Sequence, residues 1–246
     1  MRDMTLRRTL GTTARVCTAI LAAGIGCYAA YVATTWLHYG YRRSSSAGDE
    51  TETLLDGFMP VYEVVERHQT AVAAPAEITL SAACDMDLET STIANAIFKG
   101  RELLLRSTPE HETRPRGLLA LAKSLGWEVL AETPGREIVI GAVTRPWQAD
   151  VVFRPIAPAQ FAAFSEPDYV KIAWTLSVDP VSDQVSIFRT ETRAVATDAS
   201  ARRKFRRYWA FLSPGIILIR RAALGQLRAD AERRARAARV QPRVVG

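Results

Sequence analysis

Phe205-Arg206-Arg207-Tyr208-Trp209-Ala210-Phe211-Leu212-Ser213-Pro214-Gly215-Ile216-Ile217-Leu218-Ile219-Arg220-Arg221-Ala222-Ala223-Leu224-Gly225-Gln226-Leu227 is the stretch on which the fold turns. Phe205, Tyr208, Trp209, Leu212, Ile216, Ile219, Ala223 and Leu227 recur at steps of three and four, the period of one helix face. Arg203, Arg206, Arg207, Arg220 and Arg221 are directed largely elsewhere. The spacing predicts a long amphipathic helix with one stripe against a sheet. Ser213-Pro214-Gly215 is expected to kink it, because proline has no amide donor. The apolar piece from Trp209 to Ile219 is too short to cross a bilayer.

Upstream of this helix the period changes to two. Trp127 to Glu132 and Glu137 to Thr144 flank the turn Thr133-Pro134-Gly135-Arg136 and form a hairpin. Further strands are expected at Ala149 to Ile156, Tyr169 to Val178 and Gln184 to Ala196, with a short helical turn around Pro158 to Phe164. Asp179 to Asp183 turns the chain between the last two strands. Earlier still, Val61 to Val72 mixes β-branched and charged residues as a strand with one wet face does. Three helical stretches follow it: Pro75 to Met86, a segment capped by Ser91 and running through Leu104, and Pro115 to the stop at Gly126. Strand, helices, antiparallel strands and one long helix make an α+β chain.

The alternation also sorts faces. If Lys171, Arg189, Glu191 and Glu137 point to solvent, then Ile140, Val151, Phe153, Ile172, Trp174, Leu176 and Phe188 point to the last helix. Opposite them stand Phe205, Trp209, Leu212 and Ile216. The candidate cavity lining is therefore Ile140, Phe153, Trp174, Phe188, Phe205, Trp209, Leu212 and Ile216. Such a set either closes into a core or lines a cavity for an apolar ligand, whose burial supplies about 25 cal/mol per Å².

The element order resembles that of the START-like or SRPBCC superfamily, the helix-grip fold. The chain is similar to bacterial proteins of that group through Val61-Tyr62-Glu63-Val64-Val65-Glu66-Arg67-His68, Gly126-Trp127, Gly135-Arg136-Glu137, Arg145-Pro146-Trp147, Tyr169-Val170-Lys171-Ile172-Ala173-Trp174 and Phe205-Arg206-Arg207-Tyr208-Trp209. The resemblance covers about residues 58 to 235 and contains no catalytic signature. It implies a curved antiparallel sheet wrapped on the C-terminal helix, with an apolar cavity between them that takes lipids, polyketides or other hydrophobic molecules. Members of the group range from carriers to cyclases and hydrolases, so the fold does not settle the function.

The N-terminal part reads differently. No charged side chain occurs from Val16 to Tyr41, and about 20 residues suffice to cross the hydrocarbon. Trp36, Tyr39 and Tyr41 fall where an aromatic belt meets the headgroups. The alternative is a cleaved signal peptide, with Arg7, Arg8 and Arg15 ahead of a small apolar stretch. Arg2, Arg7, Arg8 and Arg15 before the span against Arg42 and Arg43 after it favour a cytoplasmic N-terminus, which puts the domain outside. Ala22, Gly26, Ala30 and Thr34 form a small-residue stripe that would let two such helices associate. The expected organisation is a basic tail (1–15), a single-pass transmembrane helix (16–41), a solvated linker (42–53), the helix-grip domain (54–238) and a second basic tail (239–246).

Composition narrows the remaining chemistry. Residues 201 to 246 hold 13 of the 32 Lys and Arg but only 2 of the 26 acidic residues, so the net charge of +6 comes from the C-terminal helix and tail. Such a segment suits anionic lipid, or nucleic acid, although no nucleic-acid motif accompanies it. The three cysteines build no disulfide framework, and the three histidines show no metal-ligand spacing with other donors. No metal, cofactor or catalytic residue is assigned. The expected role is a membrane-anchored binding or transfer module for a hydrophobic small molecule or lipid. The alternatives are a cyclase, dehydratase or hydrolase on the same fold and a structural interaction domain.

Overall fold

The computed structural model describes residues 2–39, 41–44, 53–87 and 115–240. The helix expected after Ser91, the loop containing His111, most of the linker and the last six residues lie outside the described residues. Helix α1 (Arg2–His38) contains the apolar run, and the short strand β1 (Arg43–Ser44) pairs with β2 (Val61–Tyr62). Between them lies α2 (Thr53–Phe58). The domain continues with β3 (Val64–Val72), α3 (Ala76–Cys84), α4 (Leu118–Ser124), β4 (Glu128–Thr133), β5 (Glu137–Thr144), β6 (Phe153–Arg154) and α5 (Pro158–Phe161). It ends with β7 (Val170–Ser182), β8 (Val185–Ala196) and α6 (Ala199–Val240).

A six-stranded antiparallel sheet runs in the order β3-β8-β7-β5-β4, with β6 paired to β5, and α6 lies along its concave face. This is the α+β helix-grip arrangement expected from the sequence. Local chemistry explains the joints. Gly126 ends α4 at φ +94°, and a Cβ there would overlap the carbonyl oxygen of Phe153. The Asp198 carboxylate accepts the Ala201 amide at 2.8 Å and caps α6, which then runs through Pro214 as one helix.

Two strand expectations are shortened. Ala149 to Ile156 contributes only Phe153–Arg154, because the chain before it turns at Arg145, whose carbonyl accepts the Gln148 amide, and Pro155 has no donor for a longer ladder. The single strand expected from Val61 to Val72 breaks at Glu63. That side chain turns inward, where its carboxylate accepts Arg202 Nε at 2.5 Å and the Ala196 amide at 3.3 Å. The break ties the edge of the sheet to the first turn of α6.

The larger correction concerns the convex face, expected to be wet. Glu191 is only 3% exposed there and Arg193 is fully buried. Arg193 donates through Nε to Glu191 at 2.6 Å and through Nη1 to Asp56 at 2.5 Å and the Met59 carbonyl at 2.8 Å, with its guanidinium 4.7 Å from the centre of the Tyr62 ring. Arg67 Nε adds a donor to Glu191 at 2.9 Å. Helices α2 and α5 cover this network through Leu55, Met59 and Phe161, packed with Leu130, Val139, Ala173 and Val195. Gly141 makes room for the cover, since a Cβ would come 2.8 Å from the Phe161 ring. Lys171 reaches the end of α5 and donates to the Ala162 carbonyl at 2.7 Å, and burial lowers its pKa. Helices of six and four residues carry too little periodicity to be recognised as a cover from sequence.

Removing one partner of a buried ion network leaves the other charge uncompensated, at a cost of about 3–5 kcal/mol, whereas replacing both by apolar groups is often nearly neutral. Arg193→Met is therefore expected to lower the unfolding temperature of the full chain sharply, and the double variant Arg193→Met/Glu191→Leu to recover most of the loss. Thermal melts followed by near-ultraviolet circular dichroism check this. Additive losses in the double variant would contradict the network.

Candidate functional site

The inward phase of β3 is set by its ends. Val64 and Val72 are both buried on the concave side, so the residues between them in the same phase, Glu66, His68 and Thr70, must point the same way. In β8, register puts Thr192 opposite Glu66 and Thr190 opposite His68. Next to these in β7 and β5 the row continues into Trp174, paired with Thr192, and Ile140, paired with Trp174. A polar strip on β3 and β8 thus grades into an apolar wall on β7 and β5.

Apolar clusters bound the strip at both ends. At one end Val64, Val170 and Ala194 pack with Phe205 and Trp209, joined by Ile172 and Ile216. At the other, Val72, Leu176, Val178 and Phe188 pack with Leu227, Ala231 and α3, joined by Trp174 and Leu224. On α6 the residue between Ile216 and Leu224 on this face is Arg220, four positions from each. Burial lowers the Arg220 guanidinium to about 10, against the opposing effect of Glu66, which leaves it charged at neutral pH.

Several polar atoms converge on this belt. The Tyr39 hydroxyl, just beyond the end of α1, donates to Glu66 Oε1 at 2.8 Å, and its ring meets Trp209 edge-on with centroids 6.0 Å apart. His68 Nε2 lies 3.8 Å from the other Glu66 oxygen, beyond a hydrogen bond. His68 Nε2, Thr192 Oγ1 and Trp209 Nε1 are buried with no hydrogen-bond partner among the described residues. Such orphans are uncommon, since each costs about 1–3 kcal/mol. Burial and the nearby Arg220 and Arg221 lower the pKa of His68, with Glu66 opposing. The imidazole is neutral at neutral pH and can accept or donate at Nε2.

The candidate lining residues fall around this belt in two groups. Phe205, Trp209 and Ile216 belong to the first cluster, Phe188 and Trp174 to the second. Ile140 is fully buried beside Trp174, and Leu212 is half-buried on α6. Phe153 stands further off on β6, against Trp127 at 4.8 Å, and Trp127 in turn meets Trp174 at 6.0 Å. Sequence reasoning missed Glu66, His68, Thr192, Arg220 and Tyr39. The signal for the first two lay in the common phase of Val64, Glu66, His68 and Val72.

Other corners offer less. An open recess of about 510 Å³ lies at the start of α6 between Tyr41, Arg42, Asp198, Ala199 and Arg202, but Arg202 is committed to Glu63 and Asp198 to backbone amides. Among the described residues no group of three His, Cys, Asp or Glu side chains could hold a metal ion. Burial pushes the Cys84 thiol up to about 11, which keeps it protonated at neutral pH.

No known protein family matches this chain, and no curated protein matches it. Among solved structures, a protein from Chromobacterium violaceum is 16% identical, covering 68% of this chain and 97% of its own, at a TM-score of 0.31. A hypothetical protein from Helicobacter pylori is 8% identical, covering 77% and 99%, at 0.37. The Zhui aromatase/cyclase from Streptomyces is 14% identical, covering 71% and 97%, at 0.27. Likenesses this distant carry no functional argument; the sheet and helix described above establish the fold by themselves.

The His68 shift has a signed consequence for stability. A histidine whose folded pKa lies below its unfolded value of about 6.5 contributes stability that is complete above that value and is lost as the pH falls through the folded pKa. The melting temperature of the wild-type chain should fall between about pH 7 and pH 5 more steeply than that of His68→Gln. Equal slopes would show that His68 is not held neutral.

Proposed function

We propose that this chain binds an amphipathic molecule between the sheet and α6, with the polar head at the Glu66–His68–Thr192–Arg220 belt and the apolar part along Trp174, Ile172 and Ile216. The observation that carries this reading is the set of three buried polar atoms, without a hydrogen-bond partner among the described residues, held between two apolar clusters. The Trp209 indole only donates, as does Arg220, so the head must offer an acceptor oxygen, a carboxylate or carbonyl. Glu66 is already engaged by Tyr39 and does not compete for the Trp209 donor.

The same proposal makes α1 a retained membrane anchor. Thr18–His38 is long and apolar enough to cross a bilayer, and its large side chains Ile20, Leu21, Ile25 and Leu37 are exposed, unlike those of a core helix. Its second half is bonded into the domain, with the Tyr28 hydroxyl donating to the Phe211 carbonyl at 2.7 Å and the Tyr31 hydroxyl sharing a hydrogen with Ser213 at 3.0 Å. The anchor holds the ligand site beside the bilayer, as suits a carrier of lipid-like molecules. A second reading, acid–base catalysis on the same ligand, is favoured by the neutral His68 beside Glu66.

Thr192→Val separates these roles by sign. Removing a partnerless buried hydroxyl should raise the unfolding temperature of the empty protein, while removing a contact to the head should weaken ligand by about fivefold, the effect of one hydrogen bond near 1 kcal/mol. The assay is fluorescence titration of the full chain in non-ionic detergent with cis-parinaric acid, a fluorescent fatty acid. Binding that is stoichiometric, is weakened by Thr192→Val and is abolished by Thr192→Trp supports the reading. Absence of saturable binding, or binding indifferent to both variants, refutes it.

A further inference from the structure

The contacts between α1 and α6 fix a depth. The charge-free run that includes the second half of α1 extends in the sequence from Val16 to Tyr41, and a span of about 20 residues inside it ends no earlier than residue 35. At 1.5 Å per residue, Tyr31 then lies at least about 6 Å, and Tyr28 at least about 10 Å, below the hydrocarbon boundary. Side chains of a helix lean toward its N-terminus, here away from that boundary and deeper into the bilayer. Yet the Tyr28 hydroxyl touches the Phe211 carbonyl and the Tyr31 hydroxyl touches Ser213. If α1 spans, the middle of α6 is carried below the surface with it.

The middle of α6 is built for that position. Tyr208 to Ile219 contains no charged residue, and Phe211 and Leu218, seven positions apart on one face, are 51% and 50% exposed. Arg206 and Arg207 precede the stretch and Arg220 and Arg221 follow it. Arg206 Nε donates to the Trp36 carbonyl at 2.7 Å, with its guanidinium 4.5 Å from the centre of the Trp36 ring and 5.5 Å from that of Tyr41. This puts a cation among the belt aromatics, at the level of the phosphates. Twelve uncharged residues are too few to span but suit a helix lying about 5–10 Å into the headgroup and acyl boundary.

We infer that the Tyr208–Ile219 segment of α6 is immersed in the bilayer leaflet beside α1, with Phe211 and Leu218 in contact with acyl chains and Arg206, Arg207 and Arg221 on anionic headgroups. The inference rests on the reading of α1 as a bilayer span. It goes beyond a tether: the domain lies partly in the lipid, and its ligand site, which shares Trp209 and Ile216 with this segment, adjoins the acyl region directly.

The test is site-directed spin labelling of the full chain, with Cys17, Cys27 and Cys84 replaced by alanine, in phosphatidylcholine vesicles containing a quarter phosphatidylglycerol. Labels are placed at Ile25→Cys in α1, Phe211→Cys and Leu218→Cys in α6, and Asp183→Cys in the exposed turn between β7 and β8. Collision with oxygen reports lipid and collision with a water-soluble nickel chelate reports solvent. The expected result is oxygen-dominated collision at Ile25, Phe211 and Leu218, with the Phe211 label about 10 Å below the hydrocarbon boundary, the level of Tyr28, and nickel-dominated collision at Asp183. A lipid-exposed Ile25 with water-exposed Phe211 and Leu218 overturns the inference and leaves the anchor intact. A water-exposed Ile25 overturns both. Labels at Phe211 and Leu218 shielded from both reagents show a protein cover, such as a second copy of the chain, and also overturn it.

Discussion

The alternation of one strand governs the inside of this protein. Because a strand turns every second side chain to the same face, burying Val64 and Val72 at the two ends of β3 commits Glu66 and His68 to the concave side whatever their polarity. Thr190 and Thr192 follow on the paired strand, and α6 answers with Arg220 in the one turn between its two apolar contacts. The interior is therefore apolar, polar and apolar again along the helix axis. Valine or leucine at all of these positions would grip the helix with less desolvation of polar groups, so the polar rows diminish stability.

The two faces of the sheet use charge in opposite ways. On the convex face Arg67, Glu191, Arg193 and Asp56 bond one another at hydrogen-bond distance beneath α2, an arrangement with structural value in which only Arg193 Nη2 has no hydrogen-bond partner among the described residues. On the concave face His68, Thr192 and Trp209 each present a buried polar atom with no partner among the described residues.

Much of this was legible in the sequence. The hairpin at Gly135, the strands around Trp174 and Phe188, the stop at Gly126 and the apolar stripe of the last helix all obey local rules of period and turn chemistry, and the order of elements follows from them. What escaped was non-local. Glu191 looks like a solvent residue until α2, contributed from more than a hundred residues away, closes over it. His68 and Arg220 belong to elements at opposite ends of the domain and meet only through the register of β3 with β8 and the course of α6. Residues of the lining set were identified by type and phase, but their division into two clusters depends on where the helix crosses the sheet.

The sheet order has a consequence for how the chain is made. Among the described residues the only strand beside β3 in the six-stranded sheet is β8, with Val64 opposite Ala194 and Val72 opposite Ser186. During synthesis the first strand of the sheet therefore emerges long before its partner exists. Until translation reaches β8, β3 is an unpaired edge bearing valines, the kind of segment that sticks to other chains or recruits a chaperone. Closure of the sheet is thus a late, long-range event, and the rate of folding is set by the search that brings its two distant strands together.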